Sequence, residues 1–104
     1  VPVVRQTDAF ARWFLKLRDR HVRARIDVRI RRLQLGNPGD VRPAGEGVSE
    51  LRIDYGPGYR VYFVELGPEE VLLLVGGDKR TQEQDIKKAR KLARRIQEDG
   101  TKTD

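Results

Sequence analysis

Residues 50–63, ELRIDYGPGYRVYF, alternate apolar and polar side chains on both sides of a Gly-Pro-Gly reversal. A period-two pattern around a tight turn commits the middle of the chain to a β-hairpin. Pairing Tyr55 with Tyr59 sets Ile53 opposite Val61 and Leu51 opposite Phe63, so one face is apolar and belongs to the core. The same register sets Asp54 across from Arg60 and Arg52 across from Tyr62. With Glu50, these residues are expected to form an exposed sheet surface of cations and an aromatic ring.

The remaining segments arrange themselves around that hairpin. Residues 1–4, VPVV, read as a short edge strand, since Pro2 has no ladder donor. Thr7 or Asp8 offers a helix N-cap, and Phe10, Trp13, Phe14 and Leu17 recur at the spacing of one helical face. That spacing makes Trp13 a core aromatic rather than a stacking platform. Asp19-Arg20-His21 breaks the pattern; Val22, Ile26, Ile30 and Leu33 resume it, and Gly36-Asn37-Pro38-Gly39 ends it, giving a helical hairpin. His21 reads as a capping or surface residue. Residues 40–47 include a short segment that Pro43 keeps from the centre of a sheet. The apolar run at residues 71–75 reads as a third long strand, antiparallel to the second and nearer the middle of the sheet. Gly76 to Arg80 is expected to be a flexible, cation-bearing loop. Thr81 and Gln84 match a capping box, opening a helix with an inner stripe of Ile86, Ala89, Leu92, Ala93 and Ile96. The result is one α+β domain over residues 1–98, with helices on one sheet face, and a disordered tail at residues 99–104.

Charge narrows the partners. Lys and Arg total 22 against 16 Asp and Glu, a net +6 on 104 residues, which favours a polyanion because phosphate neutralisation releases counterions. Arg23, Arg25, Arg29 and Arg32 lie in the most basic stretch and are expected to contact RNA or an acidic protein surface. With no cysteine and one histidine, thiolate metal sites, disulfides, cysteine nucleophiles and histidine clusters are excluded. No apolar run reaches the roughly 18–20 residues of a membrane span, and the N-terminus has no signal-peptide pattern, so a cytoplasmic protein is expected.

No Walker loop, nucleophile elbow or dinucleotide fingerprint occurs. The remaining constellation is Arg52, Arg60 and Tyr62 on the sheet, with Lys79 arriving after the third long strand. RNA carries its own nucleophile, the 2′-hydroxyl. A protein that cleaves it needs only to align that oxygen, stabilise the phosphorane and help the 5′-oxygen leave. Fixed cations serve the phosphorane, Glu50 or Asp54 is a candidate base, and Lys79 a candidate acid. Against this stands a plain cross-strand ion pair on a solvated sheet face.

The segments RARIDVRIRRLQLGNPGD, GVSELRIDYGPGYRVYF and LLLVGGDKRTQEQDIKKA, in that order, resemble the HigB-like addiction-module killer proteins of the RelE/ParE toxin superfamily over about residues 7–96. The resemblance implies a RelE-like α+β fold, with two N-terminal helices and a C-terminal helix packed on a mainly antiparallel sheet. It further implies the toxin of a bacterial type II pair, with a HigA-like helix-turn-helix antitoxin as partner. Such a toxin acts on the ribosome as a metal-independent mRNA endoribonuclease that leaves a 2′,3′-cyclic phosphate, with no cofactor. Carried over by position, its cationic residues fall on Arg52, Arg60 and Lys79, with Glu50, Asp54, Tyr62, Arg80 and Gln82 expected around the substrate. Several relatives place a tyrosine or histidine near the C-terminus, whereas none follows Tyr62 here, which leaves proton transfer unassigned. Two other readings stand beside it: a ParE-like gyrase poison, and a non-enzymatic basic module that binds RNA or protein.

Overall fold

A computed structural model describes the backbone of residues 2–103 and the side chains of residues 2–98. The elements run β1 (Val3–Gln6), α1 (Asp8–Lys16), α2 (Arg20–Gln34), β2 (Val41–Gly45), β3 (Val48–Ile53), β4 (Tyr59–Glu65), β5 (Glu70–Asp78), a 3-10 turn (Lys79–Thr81) and α3 (Gln82–Thr103). The tail expected from residue 99 onward lies outside the described side chains.

Local chemistry sets the helix starts. Thr7 caps α1, its hydroxyl accepting from Phe10 N–H at 3.1 Å. Asp19 caps α2 by accepting from His21 N–H at 2.8 Å, and each cap satisfies a donor that the first turn leaves open. Before α3 the capping differs from the Thr81–Gln84 box. Asp78 accepts from Arg80 N–H at 2.8 Å, and Thr81 Oγ1 accepts from Asp78 N–H at 3.4 Å. A 3-10 turn thus precedes the helix and uses the Thr81 hydroxyl, so Gln84 has no cap to complete.

The sheet order is β1-β5-β4-β3-β2, antiparallel except for β1 against β5. Both edges match expectation: β1 follows Pro2, and β2 contains Pro43. The hairpin is shifted from the Tyr55–Tyr59 pairing. Ile53 pairs with Tyr59, Leu51 with Val61, Arg52 with Arg60 and Glu50 with Tyr62. Residues 54–58 all belong to the turn, closed by Gly58 N–H to Tyr55 O at 3.1 Å, and Gly56 and Gly58 have φ of 57° and 82°. Glycine tolerates that left-handed backbone, which lengthens the loop and moves the register by one pair. A shift of two residues preserves which side chains share a face.

Helices cover both faces, not one. Phe10, Ile26, Leu51, Val61 and Phe63 pack between the sheet and α1–α2, while Tyr62, Val64, Leu74, Ala89 and Ala93 pack between the sheet and α3. The inner stripe of α3 is small where it crosses the sheet, with Ala89 and Ala93 buried. Coverage on both sides also explains the unbroken apolar run of β5. A bulge between the Tyr62–Val75 and Phe63–Leu73 pairs leaves Leu74 as the extra residue and turns both Leu74 and Val75 toward α3. Among the described residues no helix is long and apolar enough to cross a membrane.

Gly76 and Gly77 are the end of β5 rather than a flexible loop. A Cβ on Gly76 would run into the Trp13 ring, and one on Gly77 into the Asp85 carboxylate. The two glycines therefore let α1 and α3 approach the strand from opposite faces.

Candidate functional site

Coverage by α3 changes the character of the sheet face. Glu50, Arg60 and Tyr62 are 4%, 6% and 0% exposed rather than an open surface, and a buried phenol does not reach a substrate. Four groups converge on the Glu50 carboxylate. Oε2 accepts from Tyr62 Oη at 2.9 Å and from Gln82 Nε2 at 2.8 Å, while Oε1 lies 3.2 Å from Arg52 Nε and 3.9 Å from Arg60 Nε. The last distance is short enough for ion attraction but too long for a hydrogen bond, and among the described residues Arg60 Nε has no hydrogen-bond partner. Burial first, then the bond to Glu50, pushes the Tyr62 pKa strongly upward, so it remains a donor. Glu50 meets both arginines at Nε, which leaves the outer guanidinium nitrogens outside that pairing.

Those arginines open into a concavity of about 340 Å³ lined by Arg52, Arg60, Lys79, Asp40, Asp54 and the Gly56-Pro57-Gly58 turn. Gly58 packs close here: a Cβ at that position would lie 3.6 Å from Arg60 Nη1 and 3.5 Å from Lys79 Cβ. The Arg52 backbone is held from two sides, its N–H donating to Asp40 O at 3.0 Å and its carbonyl accepting from Arg29 Nη1 at 2.7 Å. Lys79 and Asp54 are exposed at the rim. The fold therefore brings Arg52, Arg60, Lys79 and Asp54 to one concavity, with Glu50, Tyr62 and Gln82 behind it. Such fixed donors suit an anion whose charge grows during reaction.

Arg80 is elsewhere. Its Nη2 lies 2.9 Å from Asp78 Oδ2, and this side-chain bond holds the Asp78 carboxyl below its ordinary range. The fork is occupied locally, and Arg80 does not line the concavity.

The α2 arginines also divide. Arg29 is a strut: Nη1 reaches Arg52 O, and Nη2 reaches Pro38 O at 2.9 Å. Arg25 stacks over the Tyr55 ring at 4.3 Å. With Arg32, His21, Val28 and Asp54 they border a second cleft of about 570 Å³, so Asp54 touches both openings. Arg23 is half-buried on α2 and borders neither. Among the described residues no group of three or more His, Asp or Glu could hold a metal ion.

Pattern reading missed Asp40, whose carbonyl sets Arg52, and the pressing of Trp13 and Asp85 onto the glycine pair. The Gly76-Gly77 doublet inside an apolar strand was the available signal, because a strand gives up packing at glycine only where something approaches closely.

The family described as "Phage derived protein Gp49-like (DUF891)" matches residues 12–97. The chain belongs to the Gp49-like family. This is a RelE-like family associated with toxin–antitoxin systems. One relative by sequence, an uncharacterized protein of Haemophilus influenzae, is 46% identical over 93 residues, spanning 89% of this chain and 94% of its own length. The family match, residues 12–97, begins within α1, ends within α3 and contains every residue that lines the concavity.

Proposed function

We propose that this Gp49-like chain is the toxin of a bacterial type II toxin–antitoxin pair, HigB-like in action, and that it cuts mRNA on the ribosome. The observation that carries the reading is the placement of Arg52, Arg60 and Lys79 around one concavity, with the arginines braced by the buried Glu50 carboxylate. In the proposed reaction the RNA 2′-oxygen attacks the adjacent phosphorus as Asp54 takes its proton. The P–O5′ bond breaks as Lys79 gives a proton to the departing oxygen, yielding a 2′,3′-cyclic phosphate and a 5′-hydroxyl. Arg52 and Arg60 neutralise the phosphorane. Glu50, with both oxygens engaged, is a positioning residue, and Tyr62 and Gln82 hold it. The antitoxin is proposed to cover basic surface with an acidic segment.

The test is 5′-end mapping of cellular mRNA after a brief pulse of expression, with Arg52→Ala and Lys79→Ala in parallel. In-frame cuts inside translated regions, lost in both folded variants, are expected. Growth arrest with intact mRNA would overturn the nuclease in favour of gyrase poisoning. Intact mRNA with normal growth would leave a basic binding module.

A further inference from the structure

The far side of β5 carries a third cleft. Pairing between β1 and β5 ends at Gln6 and Leu73. Thr7 then turns the chain into α1, donating its N–H to Leu73 O at 3.0 Å and its hydroxyl to Leu74 O at 2.7 Å. From Val75 to Gly77 no strand among the described residues lies on that side of β5. Val75 to Gly77 form part of a cleft of about 380 Å³, walled by Arg12, Trp13 and Lys16 of α1, by Thr81 of the 3-10 turn and by Asp85 and Lys88 of α3.

Its walls differ in chemistry. Trp13, half-buried and packed against Gly76, supplies a flat apolar surface. Asp85 lies over Gly77 and accepts from Thr81 Oγ1 at 2.6 Å through Oδ2. Arg12, Lys16 and Lys88 are exposed cations at the rim. An unpaired nucleotide offers the complement of all three: a ring that stacks, N–H groups on its base edge, and a phosphate. The cleft and the first concavity share no lining residue, but Gly77 of the cleft is the register partner of Arg60, one strand spacing of about 4.8 Å away.

We propose that the cleft between α1 and α3 receives an unpaired guanine of the bound RNA, stacked on Trp13, with its N1–H and N2–H donating to Asp85 and its phosphate met by the rim cations. Guanine is the natural base with two adjacent donors on its Watson–Crick edge, and a carboxylate accepts such a pair. Uracil and adenine each place an acceptor there. This inference rests on the RNA reading above and adds a determinant of base preference to it.

Trp13 is the single tryptophan, so its emission reports occupancy of this cleft. Short 2′-O-methyl oligouridylates, with or without one central guanosine, are titrated into the full chain and followed by Trp13 emission. Anisotropy of dye-labelled copies of the same oligonucleotides measures total binding. The guanosine oligonucleotide is expected to change the emission and bind about tenfold tighter than the all-uridine one. Asp85→Asn, which keeps an acceptor for Thr81, should abolish that preference, and Lys88→Ala should weaken both oligonucleotides alike. Binding by anisotropy with silent Trp13, equal affinity for both oligonucleotides, or a preference surviving in Asp85→Asn would overturn the base site alone. No binding of either oligonucleotide would likewise overturn the base site, while the RNA reading itself stands or falls with the in-frame mRNA cuts.

Discussion

Tyr62 on β4 and Glu50 on β3 are register partners, and the phenol donates a 2.9 Å hydrogen bond to the carboxylate where both side chains are buried. The charge of Glu50 is thereby fixed beneath Arg52 and Arg60, and the sheet holds a positioned ion cluster instead of a solvated charged face. Removing the hydroxyl in Tyr62→Phe leaves Oε2 with Gln82 alone. The expected loss is about 1.5–3 kcal/mol, the usual worth of a hydrogen bond to a charged group, measured by urea unfolding. A variant as stable as the parent would show that the bond contributes little.

Gly76 is expected to tolerate no side chain. Gly76→Ala sets a methyl group against the Trp13 ring, and overpacking of this kind costs about 1–3 kcal/mol. The indole must move, so Trp13 emission should shift together with the thermal midpoint. A stabilised variant with unchanged emission would contradict the close approach.

Arg29 joins α2 to two backbone carbonyls, those of Arg52 and Pro38, through two different guanidinium nitrogens. Lysine keeps the charge but lacks the fork. Arg29→Lys is therefore expected to lose about 1–3 kcal/mol and, by loosening Arg52, to reduce the proposed toxicity at expression levels matched to the parent. Retention of both stability and toxicity would mean that charge alone matters at this position.

Asp85 should make stability depend on pH. Burial, the largest influence, raises its carboxyl above the ordinary range, against the opposing Thr81 bond. A raised folded-state pKa means a contribution fully present below the unfolded value of about 3.9, and lost as pH rises through the folded value. The ionised group at neutral pH is thus a burden that Asp85→Asn removes. The variant should gain on the parent near pH 7, and the gain should shrink toward pH 4, as read from thermal melts across that range. A gain that grows on acidification would reverse the assignment.

Much of this was legible from pattern. Alternation at residues 50–63 places Leu51, Ile53, Val61 and Phe63 together in the core, as observed. The cap at Thr7, one of two candidates with Asp8, the break at residues 19–21, the breaker at residues 36–39 and the inner stripe of α3 also follow from local chemistry, whereas the cap at Asp19 was not read from pattern. The hairpin register did not, because the number of residues in the turn depends on how Gly56 and Gly58 fold, and both a tighter and a looser loop keep the same faces. Arg29 and Arg80 show the same limit for the site. Each is a cation in a basic stretch, and only the position of a distant carbonyl or a nearby carboxylate decides that it is already occupied.

Sequence alone determined the order of elements, the apolar faces and the excess of positive charge, since these depend on neighbours within a few residues and on composition. Tertiary structure decided that α3 covers the second sheet face and turns an apparent surface of Glu50, Arg60 and Tyr62 into a buried cluster. It also decided that Gly76 and Gly77 are contact points. The physical reason is that burial is a property of what packs against a residue, and the elements that bury Glu50 and touch Gly76 lie far from them along the chain.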